Sequence, residues 1–232
     1  MQNNNNLLEY WKESRLGYFT ASNIWKLLKG GKGGDVFGET AKTYIDEKIA
    51  EIITGEAVDS ANTYATEWGR NNEEDAVKWF AHITGYQVEH YGALNPKYFP
   101  FNDISGGSPD GMVDGNAVLE IKCPYNSTYF LEYIVEMQKA ETDTDFLDWF
   151  RKNHFDYYAQ CQFNMMCCKS DMCFFAVYNP RVVDAELRMF WFLFLPDTDI
   201  QNMIKDRIEK ASQIIKDKLA VIDSFKDSVK LP

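Results

Sequence analysis

Ser108-Pro109-Asp110-Gly111-Met112-Val113-Asp114-Gly115-Asn116-Ala117-Val118-Leu119-Glu120-Ile121-Lys122-Cys123-Pro124 is the stretch on which the fold turns. Asp114-Gly115 between two short apolar runs is a strong two-residue hairpin signal. A hairpin there returns Glu120 towards Asp110. Side chains alternate between the faces of a strand, so Val118, Glu120 and Lys122 share one face while Leu119, Ile121 and Cys123 share the other. The second set is apolar and belongs in a core. The first puts a carboxylate and an ammonium side by side, about 7 Å apart at their Cα atoms from the strand rise. Pro124 has no N–H to give to a ladder and ends the strand.

Two acids and a lysine brought together in this way are what metal-assisted cleavage of a phosphodiester requires. The carboxylates hold a divalent cation, and the ammonium stands beside the water that the cation activates. An isolated Glu-x-Lys triplet is commonly no more than an exposed pair on an amphipathic strand. The Pro-Asp-Gly upstream, the hairpin and the closing proline favour a site built on Asp110, Glu120 and Lys122.

Working outward, the 232 residues suffice for one large α/β domain with a proper core. Hydrophobic residues at 45% and aromatic residues at 15% exclude a disordered chain. No apolar run reaches the length of a membrane span. The first residues, Met1-Gln-Asn-Asn-Asn-Asn, lack the blocks of a signal peptide and read as a frayed end. The five cysteines (123, 161, 167, 168 and 173) show no zinc-type pairing and sit mostly in apolar sequence, which fits a reducing, cytoplasmic setting. A net charge of −11 argues against general coating of nucleic acid by the whole surface. A locally basic groove and a bound cation can coexist with that exterior.

The pattern before the hairpin predicts helices. Leu7–Lys29 reads as two helical pieces broken near Gly17, with Thr20 or Ser22 capping Ile24–Leu28. Gly30–Gly34 lacks the Gly-Lys-Ser/Thr ending of a phosphate-binding loop and reads as a linker. Glu39–Thr54 is a helix stopped by Gly55, and Asn62–Thr84 is another stopped by Gly85. On the second, Ala76, Val77, Phe80 and Ile83 form an inward stripe that includes Glu73. Glu73 is then either a buried acid needing a metal or the lysine as partner, or an acid placed near the helix start by the dipole. Strands are expected from Tyr86 to Cys123, a helix over Ser127–Met137, a longer helix from Glu141 to about Cys168, strands over Asp171–Tyr178 and Glu186–Leu195, and a final helix over Asp199–Phe225. The order predicts a single α/β domain, 1–232, around a central mixed sheet.

Several ordered blocks carry a resemblance. Arg15-Leu16-Gly17 with Thr20-Ala21-Ser22, Trp68–Glu73 with Ala76, Ser108–Gly111, Leu119–Pro124, Ala159–Gln162 and Tyr178–Arg181 together resemble the lambda-type exonucleases, the YqaJ-like viral recombinases of the restriction-endonuclease-like nuclease fold. The resemblance covers roughly Trp11 to Tyr178. It implies that Asp110 and Glu120, with the backbone carbonyl of Ile121, bind Mg²⁺ or Mn²⁺, and that Lys122 orients or deprotonates water and steadies charge on the phosphate. It makes Glu73 a further member of the carboxylate cluster and Gln160 an active-site amide. It assigns Arg15 and Ser22 to grip a terminal 5′-phosphate, although on composition alone they are a surface arginine and an N-cap.

The function implied is a Mg²⁺-dependent 5′→3′ exonuclease. It would degrade one strand of linear double-stranded DNA to mononucleotides, as a homotrimeric ring, and hand a 3′ overhang to a single-strand annealing protein for phage recombination in the host cytoplasm. The alternatives are an endonuclease of the same fold, or a DNA-binding scaffold with a decayed site. Between Lys122 and Gln160 the chain departs from the family spacing by roughly a dozen residues. Acidic side chains (Glu132, Glu136, Glu141, Asp143, Asp145 and Asp148) place the insertion near 132–148, on the exterior.

Overall fold

The computed structural model describes residues 15–58, 63–92 and 95–229. Among the described residues the eight strands are β1 (Phe19–Thr20), β2 (Val88–His90), β3 (Phe99–Asn102), β4 (Ser105–Gly107), β5 (Gly111–Val113), β6 (Ala117–Lys122), β7 (Cys173–Tyr178) and β8 (Met189–Phe194). The six α-helices among them are α1 (Glu39–Thr54), α2 (Tyr64–Thr84), α3 (Ser127–Lys139), α4 (Asp143–Asn153), α5 (Phe155–Cys168) and α6 (Thr198–Ser228). A mixed five-stranded sheet runs β2-β5-β6-β7-β8. Only β6 and β7 are parallel within it; the other neighbours are antiparallel. This is the mixed sheet flanked by helices that the sequence predicts. The second sheet, β1-β4-β3, is an addition to that reading. Its two-residue β1 and its Ser-Gly-Gly strand β4 carry no apolar alternation to announce them.

The hairpin forms where expected, with a loop of three residues (Asp114, Gly115 and Asn116) in place of the expected two. Asp114 (φ 48°) and Gly115 (φ 73°) both take left-handed conformations, and β5 pairs with β6 through Gly111↔Leu119 and Val113↔Ala117. Asp114 tolerates that backbone because its own groups are used: its N–H donates to the Gln87 carbonyl (2.9 Å) and its Oδ1 accepts from the Gln87 N–H (3.0 Å).

Both faces of β6 are covered, as befits a strand with a parallel neighbour. Leu119 and Ile121 pack with Ala76, Val77 and Phe80 of α2. Val118 belongs to the larger core with Ala159 and Phe163 of α5 and Phe175 of β7. The α2 stripe is one turn shorter than expected. Ile83 is 45% exposed, and Tyr86, beyond the Gly85 stop, packs on Phe80 and Phe174.

Three helical expectations change. The segment Ala21–Leu28 is a 3₁₀ helix, without a side-chain cap from Thr20. Its buried Ala21, Ile24 and Leu27 recur every three residues, the period of the tighter helix. The long helix expected over Glu141–Cys168 is two, α4 and α5, broken at His154 (φ −131°, ψ 46°). No Gly or Pro marks that break. The His154 ring packs at 4.6 Å on Tyr133 and meets the Tyr133 hydroxyl at 3.2 Å, so a tertiary contact holds the kink. Finally, α2 begins at Tyr64 after a Thr63 cap, and residues 1–14 and 62 lie outside the described residues.

Candidate active site

Asp110 precedes β5, and the ladder fixes it from both sides. Its N–H donates to the Leu119 carbonyl (3.1 Å) and its carbonyl accepts from the Tyr91 N–H (2.9 Å). The side chain then takes a hydrogen bond from β6 itself: the Ile121 N–H donates to Oδ2 at 2.6 Å. Gly111 lets β2 lie close against β5, since a Cβ there would stand 2.7 Å from the Glu89 carbonyl oxygen.

Glu120 faces α5 and is only 1% exposed. An ionised carboxylate at such depth needs partners, and three donors supply them. Lys122 Nζ and Gln160 Nε2 donate to Oε1 at 2.7 and 2.6 Å, and Asn164 Nδ2 donates to Oε2 at 3.0 Å. Lys122 also donates to Gln160 Oε1 at 3.2 Å and lies 4.8 Å from the centre of the Tyr157 ring. Thus Asp110, Glu120, Lys122 and Gln160 converge. Asn164 was not singled out by sequence reasoning. The available signal was a pair of amides, Gln160 and Asn164, four apart on one face of α5. The neighbouring Gln162 is structural, holding the Leu195 carbonyl and the Asp197 N–H at the start of α6.

Glu73 lies on the same cavity wall, and its direct partner is neither of those expected. Its Oε1 is 3.1 Å from His90 Nε2 on β2. No spacing in the sequence joins these two; the α2–β2 packing does.

The electrostatics show mutual repulsion. Burial, then Glu120 and Glu73, push the Asp110 carboxyl well above the usual carboxylate range. Burial likewise raises Glu120, with Lys122 opposing. Burial alone would lower Lys122, but Glu120 and Asp110 beside it hold it above the usual lysine value. The cluster is therefore short of positive charge and opens to solvent through a cavity of about 910 Å³. Arg70, Asp110, Glu120, Lys122 and Gln160 line its floor, and Glu73, Tyr125, Tyr129 and Tyr157 its walls. Among the described residues, no three His, Cys, Asp or Glu side chains are grouped to hold one metal ion. A cation here would draw on Asp110 and Glu120 with oxygen from backbone or water, a ligand set suited to a hard ion.

Arg15 and Ser22 are not among the residues lining this cavity. Arg15 lies near Tyr98, Tyr44 and Glu51, and burial brings its guanidinium down to about 10. Ser22 is exposed, its hydroxyl 3.5 Å from that of Thr20. The link to the carboxylates runs through β1 and β4: Phe19 and Thr20 pair with Ser105 and Gly106, and the chain continues from β4 into Ser108 and Asp110. The Ser108 hydroxyl is buried there without a partner among the described residues.

Comparison with solved structures places the architecture. The complex of LHK-Exo with dAMP superposes with a TM-score of 0.75 at 23% identity, covering 95% of this chain and 98% of that one. The alkaline exonuclease LHK-Exo from Laribacter hongkongensis gives 0.69 at 22% identity, over 94% and 99% of the two chains. A phage-related exonuclease from Haemophilus somnus 129PT gives 0.67 at 17%, over 88% and 96%. At such identities the likeness is one of fold. No curated protein matches the sequence. The family model of the YqaJ-like viral recombinase domain matches residues 10–171, which include the hairpin, all four converging side chains and Glu73. With that span matched, the chain belongs to the YqaJ-like viral recombinase family.

Proposed function

We propose that this protein is a divalent-cation-dependent exonuclease that degrades one strand of linear double-stranded DNA in the 5′→3′ direction. It releases mononucleotides and leaves a 3′ overhang for annealing-type recombination. One observation carries the reading: Asp110, Glu120, Lys122 and Gln160 meet on the floor of a single open cavity, with Glu73 on its wall. Family membership and solved neighbours named as exonucleases, one holding dAMP, support it.

The donor set fits a metal ion. The carboxylates repel one another, and Asp110 uses only Oδ2 in a hydrogen bond among the described residues. Asp110, Glu120 and the Ile121 carbonyl would hold Mg²⁺, with Mn²⁺ as the alternative. When bound, the ion supplies Lewis acidity and lowers the pKa of water. The chain's own residues do the rest. Lys122, kept protonated by its two acidic neighbours, orients the attacking water and stabilises charge on the phosphate, rather than removing a proton. Gln160 and Asn164 fix Glu120. Glu73, held by His90, completes the acidic wall. Arg15 and Ser22, which lie outside the cavity lining, would grip the 5′-phosphate.

A ring of three copies would let a chain of charge −11 act on DNA, because only the channel must be basic. The overhang would pass to a single-strand annealing protein in the cytoplasm. The described helices include none long and apolar enough to cross a membrane. The 132–148 segment is on this reading an elaboration of the family core. Glu132, Glu141, Asp143, Asp145 and Asp148 are exposed and Glu136 is half-buried, while Tyr133 and Phe146 are buried. Asp110→Ala tests the reading: with Mg²⁺ present it should lose cleavage by about 10³-fold or more while still binding duplex ends. Retained cleavage would overturn it.

A further inference from the structure

Neighbouring exposed aromatic rings beside a charged cavity mark a binding surface, where isolated exposed rings would not. Tyr64 at the start of α2 is 65% exposed, Tyr125 after β6 is 45% exposed, and Tyr129 in the first turn of α3 is 56% exposed. Tyr64 and Tyr125 are nevertheless ordered against each other. Tyr64 meets Tyr125 edge-on at 4.8 Å, and Trp68 meets Tyr125 at 5.8 Å. Arg181 braces the group from β7's end of the sheet. Its guanidinium lies 4.5 Å from the Trp68 ring centre and 5.3 Å from that of Tyr125, and it donates to the Tyr125 carbonyl and to Asn179 Oδ1. Tyr125 and Tyr129 also line the cavity whose floor carries Asp110 and Glu120, only a few residues along the chain from Lys122.

We infer that Tyr64, Tyr125 and Tyr129 form a stacking shelf for a nucleobase of the DNA strand whose phosphate lies among the carboxylates. The inference rests on the proposed nuclease function and extends it to a base-binding subsite. The argument is physical. Aromatic faces accept every nucleobase at roughly 1–3 kcal/mol per stacked base, without reading sequence. A rigid ring loses little entropy on stacking, and Arg181 supplies rigidity and positive charge at the rim. A protein partner would bury such rings equally well, but would then block the mouth of the cavity. Continuity with the floor favours a nucleotide.

The test is equilibrium binding in EDTA, where hydrolysis is off. The probes are a 5′-phosphorylated duplex and the same duplex with abasic residues in place of the two terminal nucleotides of that strand. Wild type should bind the base-bearing end about tenfold more tightly. Tyr125→Leu should shrink that ratio to near one, and Tyr125→Phe should keep it, since stacking needs the ring and not the hydroxyl. Tyr64→Leu, at a more exposed position, repeats the comparison should Tyr125→Leu fold poorly. Equal binding of both probes by wild type, or an unchanged ratio in both leucine variants, overturns the shelf. Cleavage with Mg²⁺ is scored separately. Wild type that cuts but ignores the bases defeats the shelf alone; wild type that discriminates bases but never cuts defeats the nuclease reading alone.

Discussion

Asn164 carries the least visible and most consequential contact of the site. It is fully buried, it gives Glu120 Oε2 its hydrogen bond, and its Oδ1 lies where a Cβ on Gly107 would come within 2.2 Å. Asn164→Ala leaves a buried carboxylate oxygen without its donor, at a cost of about 1–3 kcal/mol. Urea unfolding should register that loss, and the cleavage rate should fall by about tenfold or more as Glu120 loses orientation. An unchanged rate would show that Lys122 and Gln160 suffice. The acids give a second prediction. Burial and neighbouring acids raise Asp110 and Glu120 in the folded state, whereas unfolded carboxyls titrate near about 4. Between those values the folded protein binds more protons, so stability falls as pH rises through the folded pKa. Lys122 adds no slope there, because its stabilisation is fully present below the unfolded lysine value of about 10.4. In EDTA, the protein should therefore melt at a higher temperature at about pH 5 than at about pH 8, apart from other groups. Asp110→Asn should raise the pH 8 melting temperature by about 2–4 °C per kcal/mol of repulsion removed. A lower melting temperature for that variant would mean the acids are not in conflict.

At the scale of elements, the hairpin was legible because turn chemistry is local. Asp-Gly supplies the two left-handed residues, and alternation along β6 then fixes which side chains meet. Gly115→Ala tests how much rests on it. No atom lies within 4 Å of the added Cβ, so the cost is the backbone strain alone, about 1 kcal/mol. Urea midpoints should shift by that amount while cleavage at saturating DNA is retained. A larger loss would mean that the turn also shapes the site. Helices stopped by Gly55 and Gly85 were legible for the same local reason. The break at His154, the His90–Glu73 contact and the second sheet were not. Each is made by packing between segments distant in sequence, and periodicity is silent about such contacts. The 3₁₀ helix at Ala21–Leu28 was readable in principle from its three-residue spacing, which a 3.6-residue template blurs.

At the scale of the whole molecule, a net charge of −11 has to be reconciled with the proposed nuclease chemistry. The chain gathers Glu120 and Lys122 of β6 and Gln160 of α5 in one cavity, which Tyr125, Tyr129, Tyr133 and Tyr157 also line. The mixed sheet was foreseeable from the order of elements, and the family from its ordered blocks. The position of Arg15 and Ser22 outside the cavity lining was not, because it depends on how β1 docks beside β4. Everything functional here depends on one claim, that this cavity hydrolyses DNA from an end with the help of a divalent cation. A time course on linear, nicked and covalently closed circular duplex, with Mg²⁺ and with EDTA, addresses it most directly. The account predicts steady release of mononucleotides from linear DNA with Mg²⁺, none with EDTA, and an intact closed circle throughout. Cutting of the closed circle, or no release from linear DNA with Mg²⁺, would contradict it.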